Sequence, residues 1–206
     1  MAVAWAWMNR QPWAVATVIA VSVLPGAVFG QSSRNEPIKT TVCELATAPE
    51  RFNGKIVAVR GPIQIAFENF TFSLSECESR KVDDVWLEYG RGPKRQPTTW
   101  CCGDMVPRDS LILVQDNEFR RFHRYLTTEK KEKDCYNCYL FNVTATLTGR
   151  FDAIETQPCP GDAKGHCCGF GGGFGHFGVS CARLVIHRVT GVVAKEVDPY
   201  RYMKSR

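Results

Sequence analysis

The feature that most constrains this chain is its set of ten cysteines. An even number of cysteines predicts a disulfide framework if the chain reaches an oxidising compartment. Eight of the ten follow residue 100, in stretches rich in glycine, proline and charge, where a hydrophobic core is hardest to build. Each bridge there would restrict the unfolded chain and contribute roughly 2 to 4 kcal/mol. The cysteines expected to form disulfides are Cys43, Cys77, Cys101, Cys102, Cys135, Cys138, Cys159, Cys167, Cys168 and Cys181.

The connectivity of these bridges stays open at the level of sequence. Neighbouring cysteines seldom bond to each other, because the dipeptide strains the geometry of the bridge. Cys101 and Cys102 are therefore expected to reach different partners, and so are Cys167 and Cys168. Pairing between these two doublets is one arrangement that satisfies this expectation.

The first thirty residues have the pattern of a signal peptide. No charged residue occurs between positions 11 and 33, Arg10 supplies the positive charge before the apolar run, and Val28-Phe29-Gly30 suits the positions before a cut. Cleavage there would deliver the chain to the periplasm or the cell exterior, beginning with a polar, disordered stretch at 31–37. The alternative is an uncleaved membrane anchor. The apolar run disfavours an anchor, because it falls short of the ~20 residues of a bilayer span and Pro25-Gly26 interrupts it.

The remaining sequence indicates binding more than catalysis. The formal charge of +5 is spread through mixed segments such as EKKEKD and gives little support for a polyanionic partner. No serine elbow, catalytic carboxylate pair or zinc-protease helix is recognisable, and Asp83-Asp84 is interpreted as a solvated turn. Cys135 and Cys138 have the spacing of a thiol redox motif, but they follow a predicted helix and precede a predicted strand, the reverse of that motif's context. A structural bridge is expected there.

Alternating apolar residues predict five main strands. A long strand over 55–68 is interrupted at Gly61-Pro62 and turns at Glu68-Asn69 into a second strand over 69–75. The later strands are VWLEY at 85–89, YLFNVTATLTGRFD at 139–152 and ARLVIHRVTGVVA at 182–194.

Two helices are predicted beside these strands. Thr41-Val42-Cys43-Glu44 has the form of a capping box, so a short helix should run from about Val42 to Phe52. Asn53-Gly54 would end it, since glycine tolerates the left-handed backbone of a C-terminal cap. A second helix is predicted because Phe119, Phe122 and Leu126 recur at helical spacing.

The order of these elements predicts the architecture. Three strands, an inserted helix and two more strands match the five-stranded OB barrel, which commonly carries its helix between the third and fourth strands. We therefore expect a mainly β chain with one OB-like domain over 38–196, including a Cys-rich helical insertion at 90–138, and a polar tail at 197–206.

Several phrases of the sequence carry a resemblance to a known group. TVCELATAPERFNGKIVAVRG, VWLEY, VTATLTGRFDA and GFGHFG followed by ARLVIHRV resemble exported bacterial proteins of unknown function, whose core is similar to OB domains related to tRNA-anticodon-binding modules. The resemblance covers roughly 38–76, 85–89, 139–153 and 174–194. It implies a fold and an exported location, and it brings no activity with it.

OB domains usually bind ligands over their second and third strands and the adjoining loops. Mapped onto this chain, that surface has a rim in the glycine-rich loop before the last strand. Nucleic acid is not the expected ligand, because the mapped strands hold Glu68 and Glu76 and no lysine or arginine to track phosphates. We expect the domain to bind an unidentified ligand or a cell-envelope partner, or to act as a structural accessory. The candidate ligand-binding residues are Phe67, Phe70, Trp86, Tyr89, Phe174, His176 and Phe177.

The loop over 159–181 raises an alternative, a metal-binding or thiol redox module. Thiolates and imidazoles suit zinc or copper, and the alternative ligands are Cys159, His166, Cys167, Cys168 and His176. These residues lack the spacing that directs two neighbouring ligands at one ion, and export favours disulfides over thiolates. A loop tied by disulfides, with no cofactor, is therefore the favoured interpretation.

Overall fold

The computed structural model describes residues 36–66, 68–92, 111–129, 138–155, 157–159, 162–167 and 172–198, and it describes the backbone alone for 157–159 and 162–167. The expected signal peptide, most of the polar N-terminus and most of the polar tail lie outside these residues. So do Cys101, Cys102 and Cys135 of the predicted insertion. No helix in the described ranges is long and apolar enough to cross a membrane.

The described chain contains eight strands and two α-helices. In chain order they are β1 (Ile38–Thr41), α1 (Val42–Thr47), β2 (Lys55–Ala66), β3 (Asn69–Phe72), β4 (Trp86–Tyr89), α2 (Asn117–Thr127), β5 (Phe141–Ala153), β6 (Gln157–Cys159), β7 (Asp162–Cys167) and β8 (Ala182–Glu196).

Helix α1 begins with a capping box and ends before a proline. The hydroxyl of Thr41 accepts a hydrogen bond from the amide of Glu44 at 3.1 Å, and the Glu44 carboxylate accepts one from the Thr41 amide at 2.9 Å. The helix is shorter than the predicted one, which extended to Phe52. Pro49 lacks the amide hydrogen that a helix interior needs, so Pro49–Arg51 forms a separate 3-10 turn.

Five strands close into a barrel. β2 pairs antiparallel with β3, and β3 with β4. β4 then pairs parallel with β8, β8 pairs antiparallel with β5, and β5 returns antiparallel to β2. The prediction of a mainly β protein with a five-stranded barrel is confirmed. β1 lies outside the ring and extends it by pairing parallel with β2.

Alternate residues of the barrel strands face a shared apolar interior. In β5 the buried residues recur at every second position, which is the period of a strand with one face inside. Burying each large apolar side chain contributes roughly 1.5 to 3 kcal/mol. The fully buried side chains include Phe70, Phe72, Phe151, Leu87, Leu147, Leu184, Ile186, Val57 and Val59.

Helix α2 packs against β5 and β8. The carboxylate of Asp116 caps it by accepting a hydrogen bond from the amide of Phe119 at 3.0 Å. Phe119, Phe122 and Leu126 are all buried, which agrees with the helical spacing seen in the sequence. The carboxylate of Glu118 also accepts a hydrogen bond from the Val192 amide, so the helix is joined to β8 by polar as well as apolar contacts.

Disulfides join segments that lie far apart in the chain. Cys43 on α1 bonds to Cys77 in the loop after β3, closing a sequence separation of 34 residues. Cys138 and Cys181 are also disulfide-bonded, and among the described residues no cysteine is free. The disulfide prediction is confirmed for Cys43 and Cys77.

Part of the predicted glycine-rich loop is a β-hairpin. β6 and β7 pair antiparallel, with Pro158 opposite His166 and Cys159 opposite Asp162. The expectation of a loop was wrong for the backbone at 157–159 and 162–167, which forms a pair of hydrogen-bonded strands. The side chains of Cys159, His166 and Cys167 and the whole of Cys168 lie outside what the structure describes.

Candidate binding site at the rim of the barrel

The outer face of β4 is covered by residues 172–180, here called the covering segment. Leu87 and Tyr89 of β4 belong to the core cluster, so Trp86 and Glu88 point to the outer side of the barrel. Trp86 is nevertheless only 4% exposed. The covering segment accounts for this burial, because a Cβ placed on Gly175 would lie 2.5 Å from Cδ2 of the Trp86 indole. Only a glycine fits at that position.

The covering segment is held in shape by its own backbone. Phe174 and Ser180 exchange two backbone hydrogen bonds, at 2.7 and 3.0 Å, and the amide of Gly173 donates to the carbonyl of Gly178 at 2.8 Å. These bonds fold the segment into a narrow loop. Its ends come together where it meets β8.

The buried side chain of Arg183 contacts the ring of Phe174 in the covering segment. The guanidinium carbon of Arg183 lies 4.7 Å from the ring centroid of Phe174, within cation–π range. Its Nη1 and Nε donate to the carboxylates of Glu88 and Asp152, each at 2.9 Å. Arg150 also donates to Asp152. Burial alone would raise the pKa of Asp152, but the hydrogen bonds from the two arginines outweigh it and hold that pKa below its usual value.

A second carboxylate binds the other end of the covering segment. The hydroxyl of Ser180 donates to Oδ2 of Asp84 at 3.1 Å. The pKa of Asp84 is raised, mainly because the carboxyl is partly buried. The hydrogen bond from Ser180 lowers this pKa in part, and the nearby charge of Asp83 raises it further. Asp84 was predicted to lie in a solvated turn, but it is partly buried and bonded to the covering segment.

The rim site consists of Glu68, His176 and Phe177. Nε2 of His176 lies 3.2 Å from Oε2 of Glu68, and the rings of His176 and Phe177 are 3.8 Å apart between centroids. Glu68 occupies the turn between β2 and β3, so the covering segment meets the barrel at that turn. Phe177 is 54% exposed.

The rim site also concentrates backbone strain. Glu68 and Phe177 have φ values of 55° and 54°, and no other non-glycine residue in the described ranges has a positive φ. A side chain in this left-handed region costs roughly 1 to 2 kcal/mol. Such strain persists where the surrounding structure holds the backbone in place, and it clusters at functional sites.

The structure separates the predicted ligand-binding residues into two groups. Phe70 and Tyr89 lie inside the barrel with ring centroids 5.4 Å apart, since they occupy inward positions of β3 and β4. Burial raises the pKa of the Tyr89 hydroxyl well above its usual range. On the outer side, the structure brings together Trp86, Phe174, His176 and Phe177. Phe67 lies outside the described residues.

The proposed metal ligands are mostly beyond what the structure describes. His176, whose side chain is described, pairs with a carboxylate. In the described part of the chain no group of three histidine, cysteine or acidic side chains is placed to hold a metal ion.

The fold and the site together define a small, disulfide-bonded β-barrel protein with a structured loop over one outer face. Comparison of the chain with protein-family models, with curated proteins and with solved structures gave no match.

Proposed function

We propose that this chain is an exported, disulfide-stabilised OB-like domain that binds a partner of the periplasm or cell exterior through the rim site. The single observation that carries the proposal is that the rim site holds both non-glycine residues with positive φ in the described ranges, Glu68 and Phe177, and that Phe177 is exposed. The role proposed is binding.

The strand order supports the assignment to OB-like domains. The five barrel strands follow one another as β2, β3, β4, β8 and β5 around the ring, and α2 comes between the third and fourth of them in sequence. OB domains commonly carry their helix there and bind at the loops between strands 1 and 2 and between strands 4 and 5. In this chain those loops contain Glu68 and the covering segment, which are the parts that form the rim site.

Two features support export. The uncharged N-terminal stretch has the pattern of a signal peptide, and the Cys43–Cys77 disulfide is of the kind that persists in oxidising compartments. Such disulfides would stabilise the folded state of a protein that acts outside the cytoplasm.

The chemistry of the rim indicates a protein partner. Exposed aromatic side chains supply most of the energy at many protein interfaces when they enter a partner's pocket. Phe177 presents such a ring, and Val179 beside it is 52% exposed. Because its backbone is held by the surrounding segment, Phe177 would lose little conformational freedom on binding.

Site-specific photo-cross-linking tests this proposal. A photo-reactive amino acid replaces Phe177 in the exported protein, and a matched control replaces Val193, which is similarly exposed at 55% on β8. Irradiation of whole cells should give a discrete cross-linked species from position 177 and none from position 193. Equal cross-linking at both positions, or none at either, would contradict a binding role for the rim site.

A further inference from the structure

The outer wall of the barrel formed by β2, β5 and β8 carries an excess of positive charge. The lysine and arginine residues of these strands are Lys55, Arg60, Arg150, Arg183, Arg188 and Lys195, and the acidic ones are Asp152 and Glu196. Asp152 already binds Arg150 and Arg183, and Glu196 is the last residue of β8. The middle of the wall therefore holds positive side chains with no carboxylate from these three strands among them.

The pairing of the strands brings two arginines and four threonines together in this middle part. Thr146 of β5 lies opposite Arg60 of β2 on one side and opposite Thr190 of β8 on the other. Thr148, two residues further along β5, lies opposite Arg188. Alternate residues of β5 are buried, so the threonines between them point outward. This surface is here called the threonine wall and consists of Arg60, Thr144, Thr146, Thr148, Arg188 and Thr190.

The structure holds the guanidinium of Arg60 across the surface of β5. Its Nη1 donates a hydrogen bond to the carbonyl of Gly191 at 2.9 Å. Gly191 lies in a bulge of β8 with a φ of +58°, and an added Cβ there would be 3.1 Å from that nitrogen. A guanidinium has five N–H donors, so most of them stay available to a ligand. Among the described residues, Arg60 and Arg188 take part in no ion pair.

An acidic residue of α2 lies on the other side of β8. The carboxylate of Glu118 accepts a hydrogen bond from the amide of Val192, which belongs to the same peptide group as the Gly191 carbonyl that binds Arg60. The N–H and C=O of a trans peptide point in opposite directions, and the described chain has no cis peptide bond. Glu118 therefore faces away from Arg60, and it pairs with Arg121 of its own helix.

We propose that the threonine wall binds an acidic polysaccharide, whose negative groups are received by Arg60 and Arg188 and whose hydroxyls bond to the threonines. A guanidinium matches the geometry of a carboxylate, with two parallel hydrogen bonds. Threonine hydroxyls donate and accept hydrogen bonds, as sugar hydroxyls do. Those of Thr146 and Thr190 have no hydrogen bond to another side chain in the described part of the chain.

The composition of the threonine wall disfavours other polyanions. Single-stranded nucleic acid binds where aromatic rings stack on its bases. β2 and β8 contain no phenylalanine, tyrosine or tryptophan, and Phe141 and Phe151 of β5 pack with the core. Anionic membranes attract clusters of roughly four to eight basic residues, and this surface has two arginines. Sparse charges among hydroxyls instead match a polymer whose negative groups are separated by sugar rings.

This inference goes beyond the function proposed above, because it concerns a different surface. The rim site is formed by the β2–β3 turn and the covering segment, whereas the threonine wall lies on β2, β5 and β8. The variants that test it leave Glu68, His176 and Phe177 unchanged. Cross-linking at position 177 and binding at the threonine wall therefore succeed or fail separately.

Isothermal titration calorimetry with polygalacturonate, a polymer of sugars that each carry a carboxylate, tests the role of the arginines. The purified protein with its disulfides formed should bind it in a saturable way at low ionic strength. Arg60→Gln/Arg188→Gln should bind at least about tenfold more weakly, since it removes the charge-assisted hydrogen bonds. The matched control, Arg51→Gln/Arg80→Gln, removes the same charge from two exposed arginines elsewhere and should change the affinity less than about twofold.

A second pair of measurements tests the role of the hydroxyls. Thr146→Val/Thr190→Val keeps the shape and β-branching of both side chains and removes two hydroxyls. It should weaken polygalacturonate binding by roughly fivefold or more, the effect of losing two neutral hydrogen bonds. Dextran, which offers sugar hydroxyls without charge, should give no measurable binding to the wild-type protein.

Four results would overturn the inference. They are the absence of saturable polygalacturonate binding, an equal loss of affinity in the two arginine double variants, an unchanged affinity in the threonine variant, and binding of single-stranded polydeoxythymidylate at least as tight as that of polygalacturonate. If circular dichroism shows that Arg60→Gln/Arg188→Gln does not fold, Arg188→Gln alone is measured against Arg80→Gln alone. That pair of single variants is judged by the same results.

Discussion

Two aspartates on the outer side of the barrel respond to their surroundings in opposite ways. Asp152 receives hydrogen bonds from Arg150 and Arg183, which together overcome the effect of burial and lower its pKa. Asp84 is partly buried beside a neutral donor, the hydroxyl of Ser180, and its pKa is raised. The charge of Asp152 therefore stabilises the folded state, whereas that of Asp84 costs stability.

Replacing each aspartate by asparagine should change stability in opposite directions. At pH 7, Asp152→Asn should lower the free energy of unfolding by about 2 to 4 kcal/mol, since it leaves a buried arginine poorly paired. Asp84→Asn should raise it, because a neutral amide avoids the buried charge and still accepts the bond from Ser180. Urea denaturation at pH 7 and at about pH 3 measures both changes.

The pH dependence follows from the direction of each shift. The stabilisation from Asp152 is complete above the usual carboxyl pKa of about 4 and is lost as the pH falls through its lowered folded pKa. The cost from Asp84 is absent when it is protonated and appears as the pH rises from about 4 through its raised folded pKa. Both effects of substitution should shrink at pH 3. Changes of the same sign at pH 7 would contradict this account.

At the residue scale the sequence predicted only part of the candidate site. Trp86 stands out by its residue type. Phe174, His176 and Phe177 stand out by type and by their glycine-rich context. Glu68 does not, because a glutamate in a turn is ordinary and its proximity to His176 depends on how the barrel closes. Phe70 alternates with Phe72 and Leu74, which is equally the signal of a core strand, and the core is where it lies.

At the scale of elements, period-two alternation was the most reliable guide. It predicted the strands that became β2, β3, β4, β5 and β8, because each has one face in the core and one outside. The β6–β7 hairpin was missed, since its glycine, proline and cysteine content hides any alternation. The predicted end of α1 was wrong as well, because Pro49 ends the helix before it can reach the glycine cap expected at Gly54.

The disulfide between α1 and the loop after β3 gives a prediction at this scale. Replacing both Cys43 and Cys77 by alanine should lower the free energy of unfolding by roughly 3 to 4 kcal/mol, the entropy expected for a loop of this length. Thermal unfolding of the double variant beside the wild-type protein, with all other bridges intact, measures the loss. An unchanged midpoint would show that the barrel already fixes these two segments without the bridge.

At the scale of the whole molecule, we propose an exported chain in which a disulfide-bonded barrel presents a rim that binds a partner. The barrel strands close on an apolar core. The described disulfides lie instead in connecting segments and at the edges of elements: Cys77 in the loop after β3, Cys138 before β5 and Cys181 before β8. Of these, Cys181 directly follows the covering segment, so its disulfide restrains one end of the segment that carries His176 and Phe177.

The measurement that tests this account most directly is the intact mass of the protein recovered from the exported fraction, with and without reduction and alkylation. We expect the mass of a chain that begins at Gln31 and lacks ten hydrogens, which means that all ten cysteines are paired. After reduction all ten should react with the alkylating agent, and before reduction none should. A chain that keeps its first thirty residues, or that alkylates without reduction, would contradict the claim that this is an exported, disulfide-stabilised domain.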